Sequence, residues 1–171
     1  MTVRVEVDSW HFVPPRLAAL LKARIEAAPA VTSIPFTPFE TPLPEARIAL
    51  LSTAGISYPP DAPFDMDGER ANPVWGDPSW RQIPATATAA DVEVNHLHID
   101  TSYIQRDLNV ALPLERLAEL VAAREVGASA PRHYSVMGFQ LDGTAQLRDS
   151  APAIAAAMRI DGVTGAVLAP V

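Results

Sequence analysis

Apolar residues recur along the chain with two periods, one typical of strands and one typical of helices. Alternation over residues 2 to 7 predicts a short strand, and the apolar runs at 46 to 53 and 166 to 171 predict strands buried on both faces. Apolar residues three or four positions apart predict helices over residues 15 to 28, 114 to 124 and 146 to 160. The sequence therefore predicts an α/β fold, a mostly parallel sheet with flanking helices, flavodoxin-like or Rossmann-like.

Proline divides the chain into an N-terminal segment and a main domain. Five prolines between residues 29 and 44 predict an extended strap. We assign residues 1 to 44 to a strand, a helix and this Pro-rich strap, and residues 45 to 171 to the α/β domain. Residues 57 to 91 have few periodic elements but several aromatic residues, which predicts an ordered lid or a partner surface. Residues 129 to 138 are polar enough to predict a loop.

Composition narrows the classes of function. The 171 residues, 49% of them hydrophobic, suit one compact domain. The net charge of -7 and the 13 scattered Lys and Arg residues argue against nucleic-acid binding. Without a long apolar run or a signal-peptide pattern, we expect a cytoplasmic protein with no membrane partner. The absence of cysteine excludes disulfides and cysteine nucleophiles on this chain.

The stretch from Val92 to Asp100 concentrates candidate chemistry. If it forms a strand, alternation places His96, His98 and Asp100 on one face. Two imidazoles and a carboxylate in line suit three functions: binding Zn or Fe, transferring protons, or holding an anionic substrate. His98 and Asp100 are therefore candidate catalytic residues, and His96, His98 and Asp100 are candidate metal ligands.

Further candidates lie where a ligand crevice should open, at the carboxyl ends of the strands at 46 to 53 and 166 to 171. Small residues after the first strand allow close approach of a ligand, although an ordinary turn explains them equally well. Arg132 is a candidate anion ligand, with a surface ion pair as the plainer alternative, and His133 is a candidate catalytic acid or base. The candidate substrate-binding residues are Ser52, Thr53, Gly55, Asp107, Asn109, Arg132 and Tyr134.

Several blocks of sequence, in a fixed order, resemble one protein family. The blocks are residues 46–55, 63–67, 79–84, 100–102, 106–110 with Pro113 and Leu114, 130–138 and 162–171. They span roughly residues 45 to 171 and resemble the selenoprotein B family of glycine, sarcosine, betaine and D-proline reductases. The resemblance implies an oxidoreductase that cleaves a carbon–nitrogen bond in an amino acid or related small molecule, with a selenol or thiol as nucleophile.

In that family, the strand matching Ala166 to Val171 leads directly into a selenocysteine or cysteine. This chain ends one residue short of that position, so we expect the chain alone to be inactive in this chemistry. A UGA codon, deliberate shortening and a naturally short protein are three explanations. The last leaves a small-molecule-binding or assembly subunit, or a metal-dependent enzyme that uses His96, His98 and Asp100.

The resemblance also changes the expected geometry. His96, His98 and Asp100 become the polar wall of a crevice close to the C-terminal end of the chain, with Arg132 and His133 facing the same cavity. An uncovered sheet edge there predicts a homodimer or pairing with a second reductase subunit, around a small-molecule substrate.

Overall fold

The computed structural model describes residues 8–27, 34, 36–72, 75–138, 140 and 145–171. It divides the chain into two compact units, residues 1–38 and 39–171. The strand predicted at residues 2 to 7 and the first part of the predicted strap, residues 29 to 33 and 35, lie outside the described residues. Every strand of the described chain belongs to the second unit.

The N-terminal unit is helical. A 3-10 turn, Ser9–Phe12, begins where the Asp8 carboxylate accepts a hydrogen bond from Trp10 N at 3.0 Å. Helix α1, Pro15–Ala27, follows and confirms the predicted helix. Its first residue is proline, whose missing N–H costs nothing at that position. The Lys22 ammonium lies 5.1 Å from the centroid of the Trp10 ring, a cation–π contact between helix and turn.

The second unit alternates strands and helices. Its strands are β1 (Arg47–Ser52), β2 (Ile56–Ser57), β3 (Trp80–Pro84), β4 (Glu93–Val94), β5 (Ala128–Ser129), β6 (Arg132–Val136) and β7 (Gly165–Ala169). Its helices are α2 (Met66–Ala71), α3 (Ser102–Arg106), α4 (Leu114–Ala122) and α5 (Ala151–Ile160), the last entered through a π-helical turn, Gln146–Ser150. The predictions behind β1, α4 and α5 are confirmed. β7 forms as predicted, but its expected burial on both faces is wrong, since Ala166, Val167 and Leu168 are exposed on this edge strand. None of the described helices is long and apolar enough to cross a membrane.

Strand β1 is the centre of a five-stranded sheet. β5 and then β6 run parallel along one side of it, and β7 runs parallel along the other. β3 adds to β6 in the antiparallel direction, while β2 and β4 form a separate antiparallel pair. The mostly parallel sheet with flanking helices confirms the predicted α/β class.

Each face of the sheet packs against its own helices. Ile48 and Leu50 of β1 and Ile83 of β3 join a core with Ile104 of α3 and Leu117 of α4. On the opposite face, Ala49 and Tyr134 pack with Ile154 of α5. Alternation along β1 sends neighbouring side chains into these two cores, so apolar residues are needed on both faces.

Two predictions for the second unit are wrong. Residues 129 to 138 contain strand β6 instead of a loop, and His133, Tyr134 and Ser135 are fully buried there. Polar side chains are buried inside a sheet when hydrogen-bonding partners are present there. The sequence pattern does not reveal those partners. Strand β3 lies within residues 57 to 91, where no strand was predicted. It forms an edge of the described sheet, the position in which a strand tolerates Pro84.

Arg81 contacts the segment between β2 and β3 through several hydrogen bonds and one aromatic ring. Its guanidinium donates hydrogen bonds to the carbonyl oxygens of Ala62 and Pro63 and to Ser79 Oγ. The same group lies 4.3 Å from the centroid of the Phe64 ring. Arg81 therefore joins the start of β3 to residues 62 to 64, while a lid or a partner surface in this segment stays a prediction.

Candidate functional site

The carboxyl ends of three parallel strands meet at Thr53. Thr53 N donates a hydrogen bond to Ala169 O at 3.2 Å, at the end of β7. Val171 N donates in return to Thr53 Oγ1 at 2.9 Å. Gly138 N, just after β6, donates to Thr53 O at 3.0 Å. Thr53 therefore lies at the edge of the sheet where open α/β folds bind ligands, as predicted for this residue.

Glycine is required at two places around Thr53. A Cβ atom on Gly138 would lie 2.9 Å from the Thr53 Cβ. Gly55 has a φ of 63°, and a Cβ there would collide with Asn95 O and lie 2.5 Å from Met137 Sδ. Both glycines let backbone segments approach more closely than any side chain allows. Close backbone packing thus explains Gly55 without excluding a ligand.

Ser52 takes part in the turn after β1. Its side chain is fully buried, and its Oγ accepts a hydrogen bond from Ala54 N at 3.2 Å. On the next strand, Ser135 Oγ accepts from Ile56 N at 2.7 Å. These hydroxyls satisfy backbone N–H groups where the chain leaves the sheet. Binding of substrate by Ser52 stays a prediction.

Asn95 connects this end of the sheet to the histidine segment. Asn95 N and Nδ2 both donate to Gly55 O, at 2.8 and 3.1 Å, and Nδ2 also donates to Ser57 Oγ at 2.8 Å. A cavity of about 570 Å³ opens beside Asn95. Its lining includes the acidic residues Asp65, Asp67 and Glu93. The chain continues from Asn95 straight into His96.

The predicted strand from Val92 to Asp100 is wrong, because β4 ends at Val94. His98 N instead donates to His96 Nδ1 at 3.0 Å, and the two rings stand nearly perpendicular with centroids 5.9 Å apart. Asp100 is exposed, and its pKa is lowered by hydrogen bonds from the Ser102 side chain and from Ser102 N, the latter at 3.0 Å. Because the chain turns here, the two imidazoles and the carboxylate do not lie in a line. Asp100 instead forms a hydrogen bond at the start of α3.

Glu69 of α2, which the sequence reasoning missed, meets this turn. Glu69 Oε1 lies 3.1 Å from His98 Nε2. Burial lowers the pKa of His96, while the Glu69 charge opposes that shift. No periodicity marks Glu69 in the sequence, since its contact joins distant segments. The site therefore contains a carboxylate–imidazole pair, Glu69 and His98, that no local sequence pattern predicts.

Metal binding stays an untested prediction. Within the described ranges, no three His, Cys, Asp or Glu side chains are arranged to hold a metal ion. His96 Nδ1 accepts a backbone hydrogen bond, and Asp100 caps a neighbouring turn. The geometry gives no support to Zn or Fe at His96, His98 and Asp100.

His133 lies inside the sheet. Between the pairs Ile48–Ser129 and Leu51–Tyr134, the β5–β6 segment contains two residues more than β1. In this interruption of the strand pairing, Leu50 N donates a hydrogen bond to His133 Nδ1 at 2.9 Å. Ser129 Oγ lies 3.1 Å from His133 Nε2. Because Nδ1 accepts, the neutral ring carries its proton on Nε2. Burial lowers the pKa of His133 to about 4, so this neutral imidazole has a structural role, and its predicted catalytic role lacks geometric support.

Arg132 and His133 do not face one cavity, so that prediction is wrong. Consecutive strand residues point to opposite faces of a sheet. Arg132 forms a two-point ion pair with Asp161, with N–O distances of 2.8 and 2.6 Å, and donates to Gln82 Oε1 at 3.2 Å. The hydrogen bonds between the two side chains, and then their charges, raise the pKa of Arg132 and lower that of Asp161. The ion-pair alternative is confirmed, while anion binding by Arg132 stays a prediction.

Tyr134 lies on the α5 face with Arg132. Its ring centroid is 5.8 Å from that of Trp80. The Tyr134 hydroxyl is buried and has no hydrogen-bond partner among the described residues. Burial, followed by the charge of Asp161, raises the pKa of Tyr134. The side chain therefore belongs to the packing of the second core, and substrate binding by Tyr134 stays a prediction.

Asp107 and Asn109 organise the start of α4. Asp107 Oδ1 accepts from Asn109 N at 2.9 Å and from Asn109 Nδ2 at 2.8 Å, which lowers the pKa of Asp107. Asn109 Oδ1 accepts from Glu115 N at 3.0 Å, in the first turn of α4. Both side chains also line a cavity of about 240 Å³. Capping explains their polarity, and a role in substrate binding stays a prediction.

Comparison with known proteins agrees with the resemblance read from the sequence. The family model for glycine/sarcosine/betaine reductase selenoprotein B matches residues 23–171. The chain is similar to D-proline reductase subunit gamma of Acetoanaerobium sticklandii, with 27% identity over 133 residues, 78% of this chain and 52% of that protein. It thus spans about half the length of this relative, and no solved structure matches it. Because the family match covers most of its length, the chain belongs to the glycine/sarcosine/betaine reductase selenoprotein B family.

Proposed function

We propose that this chain forms the substrate-binding part of a cytoplasmic, multi-subunit reductase that cleaves a carbon–nitrogen bond in an amino acid or related small molecule. The observation that carries the proposal is the meeting of three parallel strand ends at Thr53. The matched family is named for glycine, sarcosine and betaine reduction, and the relative is a subunit named for D-proline reduction. Each of these substrates has a carboxylate and a nitrogen attached to one carbon.

The reducing group is proposed to come from a selenol or thiol outside the residues of this chain, which contains no cysteine. In the family, the reactive residue follows the strand that matches β7. Val171 N donates to Thr53 Oγ1 at 2.9 Å, so a group carried just past β7 would enter beside Thr53. A residue after Val171 in a longer form of the chain, or a second subunit, supplies the selenium or sulfur atom.

The surroundings of Asn95 suit the nitrogen end of such a substrate. The adjoining cavity of about 570 Å³ is large enough for an amino acid. Asp65, Asp67 and Glu93 outnumber Arg70 in its lining, so the wall keeps a net negative charge although Arg70 pairs with Asp67. A cationic nitrogen is stabilised by nearby carboxylates. His98, whose side chain is 47% exposed, is the proposed proton donor at this end.

Ligand titration followed by NMR tests the proposal. We expect glycine, sarcosine, betaine or D-proline to shift the amide signals of Thr53, Gly55 and Gly138. Thr53→Val should abolish the shifts, because it removes the hydroxyl at the strand ends. Thr164→Val is the matched control, since Thr164 Oγ1 accepts from Arg47 N at 3.0 Å at the opposite end of β1. Equal shifts in both variants, or no shifts with any of the four compounds, would contradict the proposal.

A further inference from the structure

Glu69 is a buried carboxylate with little to stabilise it. Its side chain is 1% exposed, and neither oxygen forms a hydrogen bond of good geometry among the described residues. Removing a carboxylate from water is strongly unfavourable unless charges and hydrogen bonds compensate for it. The residues of an ordinary core would not include such a group, so its presence requires a reason other than packing.

Among the described residues, His98 lies within ion-pair distance of Glu69, and His96 also interacts with the Glu69 charge. The Glu69 Oε1 to His98 Nε2 distance of 3.1 Å is an ion-pair distance when the ring is protonated. The His98 side chain is 47% exposed, whereas that of Glu69 is 1% exposed. One imidazole therefore connects a carboxylate inside the protein with solvent or with a molecule bound at the surface. This is the geometry of a proton-transfer pair, in which a buried acid orients the ring that exchanges the proton.

The segment that carries His98 begins at Asn95, which lines the cavity of the proposed site. Asn95 fixes the beginning of the histidine segment to Gly55 through three polar contacts with the chain after β1. The hydrogen bond from His98 N to His96 Nδ1 then closes the turn. Two independent attachments, one to α2 and one to the end of β1, therefore set the position of the His98 ring.

We propose that Glu69 is a positioning residue for His98 and that His98 delivers a proton to the departing nitrogen of the substrate. This inference rests on the proposed function. In the step, the substrate carbon forms a bond to the selenolate or thiolate named above while its bond to nitrogen breaks. The electron pair of the broken bond goes to nitrogen, which takes a proton from the His98 imidazolium. Water then returns a proton to the neutral ring.

Histidine ring NMR tests the positioning without requiring turnover. The chain has four histidines, so 15N-labelled rings can be assigned with single His→Asn variants. We expect the His98 Nε2 proton to exchange at least about tenfold more slowly in the native protein than in Glu69→Gln, because the variant loses the carboxylate charge. Glu119→Gln, which changes an exposed carboxylate on α4, is the matched control and should leave the ring unchanged. An identical His98 ring spectrum in native protein and Glu69→Gln would overturn the positioning role.

Unfolding measurements separate this role from a structural one. We expect Glu69→Gln and Glu69→Met to be at least as stable as the native protein, because each removes a poorly compensated buried charge. A clear loss of stability in both variants would show that Glu69 is a structural residue and would overturn the proposal.

Turnover in the assembled reductase tests the proton transfer. We expect Glu69→Gln and His98→Asn each to lower kcat roughly a hundredfold with little change in KM, a typical loss for a general acid. The double variant should be no slower than His98→Asn alone, and both variants should lose the same limb of the pH profile. Native kcat in an active assembly carrying either variant would overturn the proton-transfer role. If the native assembly itself fails to reduce any of the four substrates, the proposed function is wrong, and the ring spectra still decide the positioning.

Discussion

At the scale of single residues, His133 shows how a polar group is accommodated inside a parallel sheet. Its Nδ1 accepts from one strand and its Nε2 contacts a hydroxyl on the next, and the contact at Nδ1 requires the neutral form. The folded pKa is about 4, against an ordinary value of 6.5. The unfolded chain therefore binds this proton between pH 4 and 6.5 while the folded protein does not, and acid favours unfolding over that range.

We expect the free energy of unfolding to fall as the pH drops from 6.5 to 4, with His133 contributing about 3 kcal/mol over the window. His133→Asn should flatten the dependence, because its amide oxygen can accept from Leu50 N without titrating. Urea unfolding at a series of pH values measures the effect. His11→Asn, at an exposed position of the N-terminal unit, should keep the native slope. A slope that survives His133→Asn would show that another group is responsible.

Gly55 gives a second prediction at this scale. Gly55→Ala should lower the free energy of unfolding by about 3 kcal/mol or more, because strain at positive φ adds to collision with Asn95 O and Met137 Sδ. Gly162→Ala is a matched control, since Gly162 has a φ of 69° and nothing within 4 Å of an added Cβ. It should cost only about 1 kcal/mol. Equal losses in chemical unfolding would mean that backbone strain alone restricts Gly55.

The sequence predicted residue types at the site better than residue contacts. The position of Thr53 and Gly55 after β1 was predicted correctly, because a buried strand followed by small residues marks the carboxyl edge of a parallel sheet, while substrate binding by these residues stays a prediction. Arg132 and His133 were wrongly predicted to face one cavity, because the sequence around them gave no sign of the strand that sends them to opposite faces. Glu69 was missed, because a contact between distant segments leaves no local pattern. Burial of polar groups depends on partners that only the folded chain brings together.

At the scale of elements, periodicity decided what was predictable. Helices α1, α4 and α5 and strands β1 and β7 have enough apolar residues at regular spacing to be recognised. Strand β3 instead pairs with β6, which is distant in the sequence, and the short α2 begins where the Asp65 side chain accepts from Gly68 N. The extended strand expected at residues 92 to 100 fails, because the hydrogen bond between His98 N and His96 Nδ1 turns the chain.

Arg81 provides the prediction at the scale of elements. Arg81→Lys should lower the free energy of unfolding by about 2 kcal/mol, because an ammonium cannot reproduce the planar set of hydrogen bonds to Ala62, Pro63 and Ser79. Limited proteolysis should also show faster cleavage between β2 and β3. Arg70→Lys is the control, since Arg70 pairs with Asp67 on the surface, with exposures of 59% and 95%. Similar stability losses in the two variants would argue against fastening by Arg81.

At the scale of the whole molecule, the sheet has different edges. β3 closes one side in the antiparallel direction, and β7 borders the other with no further strand among the described residues. Val167 and Leu168 of β7 are 50% and 66% exposed. An apolar edge strand without a charged residue is open to pairing with another chain.

We expect the isolated chain to self-associate through β7. Val167→Lys should shift sedimentation velocity profiles towards the monomer, because a charged side chain at an edge opposes strand pairing. Leu120→Lys removes a comparably exposed apolar residue, 41% exposed, from α4 and should leave association unchanged. A monomeric native chain at every concentration would remove the basis for edge pairing.

The hydrogen bond from Leu50 N to His133 Nδ1 has a consequence for hydrogen exchange. A central strand ordinarily protects its amides through carbonyl acceptors, which do not titrate near neutral pH, whereas this amide depends on an imidazole lone pair. Protonation of the ring removes that acceptor. The protection factor of Leu50 should therefore fall near pH 4 while those of its neighbours in β1 persist, making one backbone amide a reporter of a buried proton.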